Sequence, residues 1–285
     1  MRRHSTRDHA RVAITADHPR PAMTRTAAGQ CSNFVVPAVG YDRLMGRYLP
    51  TLAPAFADAA GVQEGMRVLD VGCGPGGLTT ELVARVGGGS VAAVDPSPPF
   101  VRACQERNPG ADVREGVAEA LPFDDGTFDA TVSSLVVGFL SDAEVAAREM
   151  LRVTRTGGVV AACFWARDAM PAIRTFWRAA ASLDGRVDGD PRRLGDAEGD
   201  IAGLLARAGA VDIGQGVLPA QGVYADFDDW WEPFTLGVGP IGAYVRTLDD
   251  DRRAALRVAA REALGRPVGP FTQEARAWYA RGVAT

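Results

Sequence analysis

From about residue 66 onward, two patterns of apolar residues alternate along the chain. One is a short continuous apolar segment, which is typical of a buried strand. The other repeats apolar residues at every third or fourth position, as at Ala143, Ala147 and Leu151, and predicts an amphipathic helix. The segments with strand character are 67–71, 91–94, 111–115, 128–133, 159–165 and 211–218.

This alternation predicts an α/β fold with a doubly wound, mostly parallel sheet and helices on both faces. Residues 220–270 interrupt it with a segment rich in Trp, Gly and Asp and then a helical pattern, which predicts a helical lid insertion. The final segment "ARAWYARGVA" (275–284) alternates small and large residues and predicts a seventh, antiparallel strand at the edge of the sheet. The core then comprises about 62–218 and 271–285.

The first 33 residues differ from the rest of the chain. They carry six arginines, two aspartates and no glutamate, and their apolar residues show no periodicity. We expect a disordered leader over 1–33 and one domain over 34–285. A start at Met23 and an arginine-rich transit peptide are the alternatives for this leader.

Composition excludes several kinds of chemistry. The chain contains no lysine, which excludes a Schiff-base lysine and the lysine of a phosphate-binding P-loop. The histidines His4, His9 and His18 all lie in the predicted leader, and the four cysteines form no CxxC pair, so we expect no metal site. The net charge of −4 has no long block of one sign, and no apolar run approaches the roughly twenty residues of a membrane span. These features predict a cytoplasmic protein that binds neither nucleic acid nor membranes.

The segment "VLDVGCGPGG" (68–77) places a glycine-rich turn directly after the first strand. Such a turn can bind a dinucleotide pyrophosphate, but Asp70 would repel phosphates and Pro75 removes one backbone N–H donor. Asp95, at the end of the second strand, lies where an acidic residue accepts hydrogen bonds from ribose hydroxyls. The residues therefore favour a ligand that has a ribose and a cationic group, as S-adenosylmethionine does.

These motifs resemble those of class I S-adenosylmethionine-dependent methyltransferases, in the ubiquinone/menaquinone-biosynthesis-type group (methyltransferase domain 11-like). The similarity rests on "VLDVGCGPG" (68–76), "VAAVDPS" (91–97), "GVAEALPFDDGTFDA" (116–130) and "REMLRVTRTGGVV" (148–160), in that order, with "YDRLMGRY" (41–48) upstream. It implies a Rossmann-like fold with S-adenosyl-L-methionine as cofactor.

The resemblance also implies roles for individual residues. Asp70 and the backbone of the glycine turn contact the methionine part, Asp95 binds the ribose, and a serine after the fourth strand lies near the sulfonium. The family often has an acidic residue at the position of Val117, which cannot accept from the adenine amino group. The implied cofactor-binding residues are Tyr41, Arg47, Asp70, Gly72, Cys73, Gly74, Asp95, Pro96, Ser97, Ala118, Glu119 and Ser133.

The acceptor is expected to be a small, partly apolar molecule, and its methylation an in-line displacement at the sulfonium methyl. Because adjacent tryptophans diverge on a helix, one of the pair in "DDWWEPF" (228–234) is expected to face the acceptor and the other to pack under the lid. The catalytic base stays unassigned; Asp168 and Tyr41 are candidates. The predicted acceptor-pocket residues are Ser134, Trp165, Asp168, Trp230, Trp231 and Phe234.

Two other functions stay open at this point. An NAD(P)-dependent oxidoreductase has a similar arrangement of strands and helices, although Asp70 and Pro75 argue against it. A non-catalytic protein that binds S-adenosylmethionine would keep the same motifs. The protein is also a candidate homodimer.

Overall fold

The computed structural model describes residues 38–185, 187 and 191–285, so the predicted leader (1–33) lies outside the described residues. Within them, seven strands form one sheet in the order β3-β2-β1-β4-β5-β7-β6. The strands are β1 (Val68–Val71), β2 (Val91–Asp95), β3 (Asp112–Glu115), β4 (Phe128–Ser134), β5 (Thr154–Trp165), β6 (Val211–Tyr224) and β7 (Phe271–Val283).

The first five strands are parallel, as the sequence predicts. Strands β1 and β2 are buried at every position and apolar except for one aspartate each, and β4 is buried at five of its seven positions, which is typical of parallel strands covered on both faces. The chain runs outward from β1 through β2 to β3 and then returns to β4 on the other side of β1. This reversal places a crevice beyond the carboxyl ends of β1 and β4, where open α/β sheets bind their ligands.

The antiparallel strand β7 lies next to the edge of the sheet, whereas the sequence predicts it at the edge. Strand β7 is antiparallel to β5 on one side and to β6 on the other, so β6 forms the edge. Ala275, Ala277 and Ala280 of β7 are each no more than 2% exposed, as expected for an inner strand. The alternation of small and large residues predicts a strand but does not fix its place in the sheet.

Helices cover both faces of the sheet. The face that carries β1 residue Val68 packs against α1, α2, α3, α6 and the lid helices, and the opposite face packs against α5 and α7. The helices are α1 (Ala38–Leu44), α2 (Leu49–Ala60), α3 (Gly77–Val86), α4 (Pro98–Arg107), α5 (Ala143–Val153), α6 (Pro171–Leu183), α7 (Asp200–Ala208), α8 (Phe227–Thr235), α9 (Gly239–Arg246) and α10 (Asp250–Ala263).

The lid insertion begins later than the sequence predicts. Strand β6 continues past residue 218 to Tyr224, because its residues 218–224 alternate between buried and exposed positions while they pair with β7. The insertion therefore occupies 225–270 and contains α8, α9 and α10. Apolar side chains of these helices join the same hydrophobic cluster as α1 and α6, so the lid insertion packs against the domain as part of its core.

Candidate active site

The glycine turn, residues 72–77, is held against the end of β2 by backbone hydrogen bonds. Gly72 and Cys73 both donate from N–H to the carbonyl of Val94, at 2.7 and 3.0 Å. Gly72 has a φ of +75°, and a Cβ at this position would lie 2.4 Å from the side chain of Val136. Only glycine fits both the backbone conformation and this close approach. The turn therefore has a fixed position relative to β1, β2 and the residues after β4.

Asp95 connects the turn to the next helix. One carboxylate oxygen accepts from the N–H of Gly74 at 2.9 Å, and the other accepts from the N–H of Ser97 at 2.8 Å. Burial raises the pKa of this carboxyl to about 6, although the two backbone hydrogen bonds act in the opposite direction. Because each oxygen has a second acceptor position, Asp95 can still receive two hydroxyl donors from a ligand.

Asp70 holds the main unsatisfied polar atom of this region. It is 1% exposed at the end of β1, and its Oδ2 accepts from Thr79 Oγ1 at 2.7 Å. Its Oδ1 is buried without a hydrogen-bond partner among the described residues. Burial, with a smaller contribution from the charge of Asp95, raises the pKa of Asp70 to about 7. A cationic ligand group beside Oδ1 would satisfy this oxygen and favour its ionised form.

Tyr41 of α1 closes one side of the turn. A Cβ placed on Gly74 would lie 3.9 Å from the Tyr41 ring, which also packs against Phe100 at a centroid distance of 5.5 Å. Burial and the nearby negative charges of Asp95 and Asp70 raise the pKa of the Tyr41 hydroxyl far above its usual range. Burial therefore favours the protonated hydroxyl, and a role of Tyr41 as general base remains a prediction.

Three further predicted cofactor residues lie at or just after strand ends, and their contacts with the cofactor remain predictions. Ser133 is buried at the end of β4 and donates from Oγ to the carbonyl of Val71 at 2.9 Å, and Ala118 is buried after β3. Pro96 is exposed between Asp95 and Ser97. These three residues lie at or after the carboxyl ends of β2, β3 and β4, at the same edge of the sheet as the glycine turn.

Two predicted cofactor residues instead make bonds within the protein. Glu119 accepts from the N–H groups of Ser141 and Asp142 at 2.9 and 3.3 Å, just before α5 begins. The guanidinium of Arg47 stacks over Tyr224 at 4.3 Å and donates to both carboxylate oxygens of Asp229 at 3.2 Å. Arg47 therefore joins the amino-terminal segment to the end of β6 and the start of α8. Cofactor contacts by Glu119 and Arg47 remain predictions.

An apolar cavity of about 610 Å³, counted out to its open mouth, lies beside Tyr41. Leu135, the first residue after β4, has a φ of +64°, which is strained for a bulky residue. Its N–H donates to the carbonyl of Cys163 at 2.8 Å, which holds this turn at the end of the sheet. The lining residues of this apolar cavity are Tyr41, Leu44, Met45, Leu135, Phe139, Trp165, Ile173, Trp177, Arg193, Val238, Gly239, Pro240 and Ile241.

Of the predicted acceptor-pocket residues, Trp165 lines this cavity. Ser134 contacts the thiol of Cys163 at 3.3 Å, and Asp168 is exposed in a short turn after β5. Trp230, Trp231 and Phe234 are buried in the core and are not among the lining residues of the apolar cavity. A role of these five side chains toward the acceptor remains a prediction.

Most residues of the cavity wall were not predicted from the sequence, among them Trp177 and residues 238–241. Residues 238–241 carry the start of α9, and Trp177 projects from the middle of α6. The pair Gly239-Pro240 is a sequence signal for a new helix start within the lid insertion. No comparable signal distinguishes Trp177, because an aromatic residue on an amphipathic helix most often belongs to the core.

Two features of the described residues bear on other classes of protein. None of the helices has the length and apolar character required to cross a membrane. Within the same residues, no three His, Cys, Asp or Glu side chains are grouped so that they could hold a metal ion.

Comparison with known proteins gives a consistent result. Residues 69–162 match the model of a methyltransferase domain. An uncharacterized protein of Mycobacterium tuberculosis is 36% identical over 129 residues, which cover 44% of this chain and 46% of that protein. A demethylmenaquinone methyltransferase of Roseiflexus castenholzii is 34% identical over 161 residues, which cover 56% of this chain and 65% of that enzyme. The chain thus spans about half the length of the mycobacterial relative that it matches.

A solved structure extends the likeness to most of the fold. The crystal structure of an S-adenosylmethionine-dependent methyltransferase from Thermotoga maritima matches with a TM-score of 0.53 at 17% identity, over 90% of this chain and 100% of that one. At this identity the match shows a shared fold. The chain has the Rossmann-like fold of these enzymes, and its residues 69–162 match the methyltransferase domain model.

Proposed function

We propose that this protein transfers a methyl group from S-adenosylmethionine to a small-molecule acceptor. The observation that carries the proposal is the buried, unpaired Oδ1 of Asp70 beside a fixed glycine turn. A buried carboxylate oxygen without a partner is costly, and it is most readily explained by a cationic ligand that completes the site. The ammonium group of S-adenosylmethionine is such a cation, whereas the pyrophosphate of a dinucleotide is not.

The other residues of this region fit the rest of the cofactor. The two oxygens of Asp95 are within the same buried edge and can accept from the two ribose hydroxyls. Ser97 and Ala118 flank the place where the adenine would follow. When bound, S-adenosylmethionine supplies a methyl group on an already activated sulfonium, so the protein needs mainly to align the acceptor and exclude water.

The apolar cavity supports the acceptor half of the proposal. It shares Tyr41 with the cofactor side, and Leu135 in its wall directly follows the two serines at the end of β4. An acceptor in this cavity would therefore lie next to the sulfonium side of the glycine turn. The apolar wall that α1, α6 and α9 contribute favours a small molecule over a polymer.

The test is a pair of calorimetric titrations followed by a transfer assay. We expect S-adenosylhomocysteine to bind in the micromolar range, which corresponds to roughly −8 kcal/mol, and NADH to show no saturable binding. Saturable NADH binding without S-adenosylhomocysteine binding would favour an oxidoreductase instead. Transfer of tritiated methyl groups to members of an acceptor panel would then separate an enzyme from a protein that only binds the cofactor.

A further inference from the structure

We infer that Cys73 and Cys104 form an oxidation-sensitive thiol pair, which a hydroperoxide converts into a disulfide that lowers the affinity of the cofactor site. Cys73 belongs to the glycine turn, and Cys104 lies on α4. The disulfide depends only on the contacts of these two side chains, whereas its effect on the cofactor rests on the proposed function.

The two cysteines pack together in one small cluster of buried side chains, which Ala93, Val101 and Val113 complete. Cys73 is 7% exposed and Cys104 is 0% exposed. A hydrogen bond between the two thiols raises the pKa of Cys73 and lowers the pKa of Cys104. Because the thiolate is the reactive form of a cysteine, this contact favours a nucleophilic sulfur within the pair.

The sulfur of Cys104 lies directly against the glycine turn. A Cβ at Gly76 would be 2.8 Å from this sulfur, and Gly76 has a φ of +94°, so glycine is required for the close approach. Asn108 Nδ2 donates to Cys104 Sγ at 3.7 Å, which also favours the thiolate. The sulfur is therefore held beside the segment that carries Cys73.

Each cysteine is also connected to one of the two carboxylates of the cofactor site. Cys104 Sγ donates to Thr79 Oγ1 at 3.6 Å, and this hydroxyl donates to Asp70 Oδ2 at 2.7 Å. The other cysteine directly precedes Gly74, whose N–H donates to Asp95 at 2.9 Å. A disulfide bond is only about 2 Å long, so its formation draws α4 and the turn together. We therefore expect oxidation to displace groups that position both carboxylates.

The oxidation needs no reagent besides the hydroperoxide. A thiolate of the pair attacks one peroxide oxygen, the O–O bond breaks, and the leaving oxygen takes up a proton, which gives a sulfenic acid. The second thiol then attacks the sulfenic sulfur, the S–S bond forms, and the S–O bond breaks with release of water. Two thiols and one hydroperoxide thus give one disulfide, one alcohol and one water, with two electrons passing from sulfur to oxygen.

The third buried thiol, that of Cys163, provides an internal control. It contacts the hydroxyl of Ser134 at 3.3 Å, and burial raises its pKa to about 12. Such a thiol has little thiolate character near neutral pH, so it should stay reduced while the pair is oxidised.

The first experiment detects the disulfide without any ligand. The full chain carries Cys31→Ser, because this cysteine lies outside the described residues. It is treated with hydrogen peroxide, its remaining thiols are alkylated in denaturant, and the protein is digested after arginine. Cleavage after Arg85 and Arg102 places Cys73 and Cys104 on different peptides. We expect mass spectrometry to find these two peptides joined by a disulfide.

The second experiment measures S-adenosylhomocysteine binding to the same samples by calorimetry. Peroxide should weaken binding by about tenfold or more, and dithiothreitol should restore it. Cys104→Ser cannot form the disulfide, so peroxide should change its affinity by less than about twofold. Cys163→Ser is the matched control and should respond to peroxide as the parent protein does. Cys104→Ala, which keeps a small apolar side chain in the cluster, replaces Cys104→Ser if the latter fails to fold.

The two experiments separate this inference from the proposed function. If no linked peptides form, or if peroxide weakens binding equally in the parent and in Cys104→Ser, the inference is wrong. Linked peptides with unchanged affinity would overturn the effect on the cofactor site. Absence of S-adenosylhomocysteine binding in the reduced protein would overturn the proposed function, while mass spectrometry would still decide whether the disulfide forms.

Discussion

The glycine turn and the apolar cavity lie side by side at the carboxyl edge of the sheet, yet they are assembled from the chain in different ways. The polar contacts of the turn come from residues 70–97, where the N–H groups of Gly74 and Ser97 donate to the carboxylate of Asp95. The cavity wall combines α1, the ends of β4 and β5, α6 and α9, which extend from residue 41 to residue 241. Local motifs therefore define the first region, and tertiary packing defines the second.

The two regions also differ in how they carry charge. Asp70 and Asp95 are both buried, and burial raises the pKa of each carboxyl to near the physiological range. The cavity wall contains no carboxylate among its described residues. A change of charge should therefore act strongly on the cofactor side, while a change of shape should act mainly on the acceptor side.

The largest expected effect comes from Asp70→Asn. Without the carboxylate, the affinity for S-adenosylhomocysteine should fall by about a hundredfold or more, because the ligand ammonium loses its buried ion partner. The ligand-free protein should at the same time become more stable at pH 8, by roughly 2 kcal/mol, since a buried charge is removed. Calorimetry and chemical denaturation measure the two effects.

The stability gain of Asp70→Asn has a definite pH dependence. The pKa of Asp70 rises from 3.8 to about 7 in the folded protein, so its ionisation destabilises the fold progressively between about pH 4 and pH 7. The variant and the unmodified protein should be similarly stable near pH 4 and should differ most above pH 7. An equal difference in stability at both pH values would contradict the assignment of the effect to the Asp70 charge.

Asp95→Ala should have the next largest effect. Two ligand hydroxyls lose a charged acceptor, and the N–H groups of Gly74 and Ser97 lose theirs, so we expect cofactor affinity to fall by about tenfold or more. Asp112→Ala is the control, because this aspartate is exposed on β3 and pairs with Arg114. Calorimetry that shows equal affinities for both variants would sink the assignment of Asp95.

The pH dependence of cofactor binding sharpens the same comparison. Only the ionised form of Asp70 can pair with an ammonium group. Because the pKa of this carboxyl is about 7, Asp70 becomes protonated as the pH falls below 7. The dissociation constant of S-adenosylhomocysteine should therefore increase by about tenfold from pH 8 to pH 6. Asp70→Asn should show a much flatter profile in the same calorimetric series. A flat profile for the unmodified protein would show that Asp70 is not linked to binding.

Arg47→Met should have the smallest effect on the site and a moderate effect on the fold. The side chain of Arg47 is 12% exposed and bonded to Asp229, so its removal should cost about 1–2 kcal/mol of stability. Affinity for S-adenosylhomocysteine should stay within about twofold. The control is Arg43→Met, whose partner Glu232 is more exposed, and which should cost less than about 1 kcal/mol. A clear loss of affinity in Arg47→Met would instead support the cofactor role that the family resemblance implies.

The sequence predicted the parallel part of the sheet, and the positions of the glycine turn, Asp70 and Asp95 at the strand ends, for a physical reason. Asp70, Gly72 and Asp95 act through positions set by strand ends and a tight turn, and such positions are encoded in neighbouring residues. The seven-stranded, mostly parallel sheet was confirmed, and so was the methyltransferase domain family. The edge position predicted for β7 was wrong, because strand order depends on contacts between residues far apart in sequence.

The acceptor side was harder to predict, because the neighbouring sequence does not distinguish an aromatic residue in the core from one that lines a pocket. Trp230 and Trp231 differ from Trp177 in environment but not in sequence context, since all three lie on amphipathic helices. Arg47 shows the same difficulty for charge: its position matches a family pattern, while its bonds are set by Tyr224 and Asp229, more than 170 residues away.

The central position of β7 has a consequence for the synthesis of the protein. Residues 271–283 are translated after all the other described strands, yet they pair with both β5 and β6 in the middle of the sheet. Until this segment leaves the ribosome, β5 and β6 each present unpaired backbone groups, a state that invites pairing with other chains. Premature termination before residue 271 should therefore yield an aggregation-prone nascent chain, and timely release or a chaperone that covers these strands should govern the yield of folded protein.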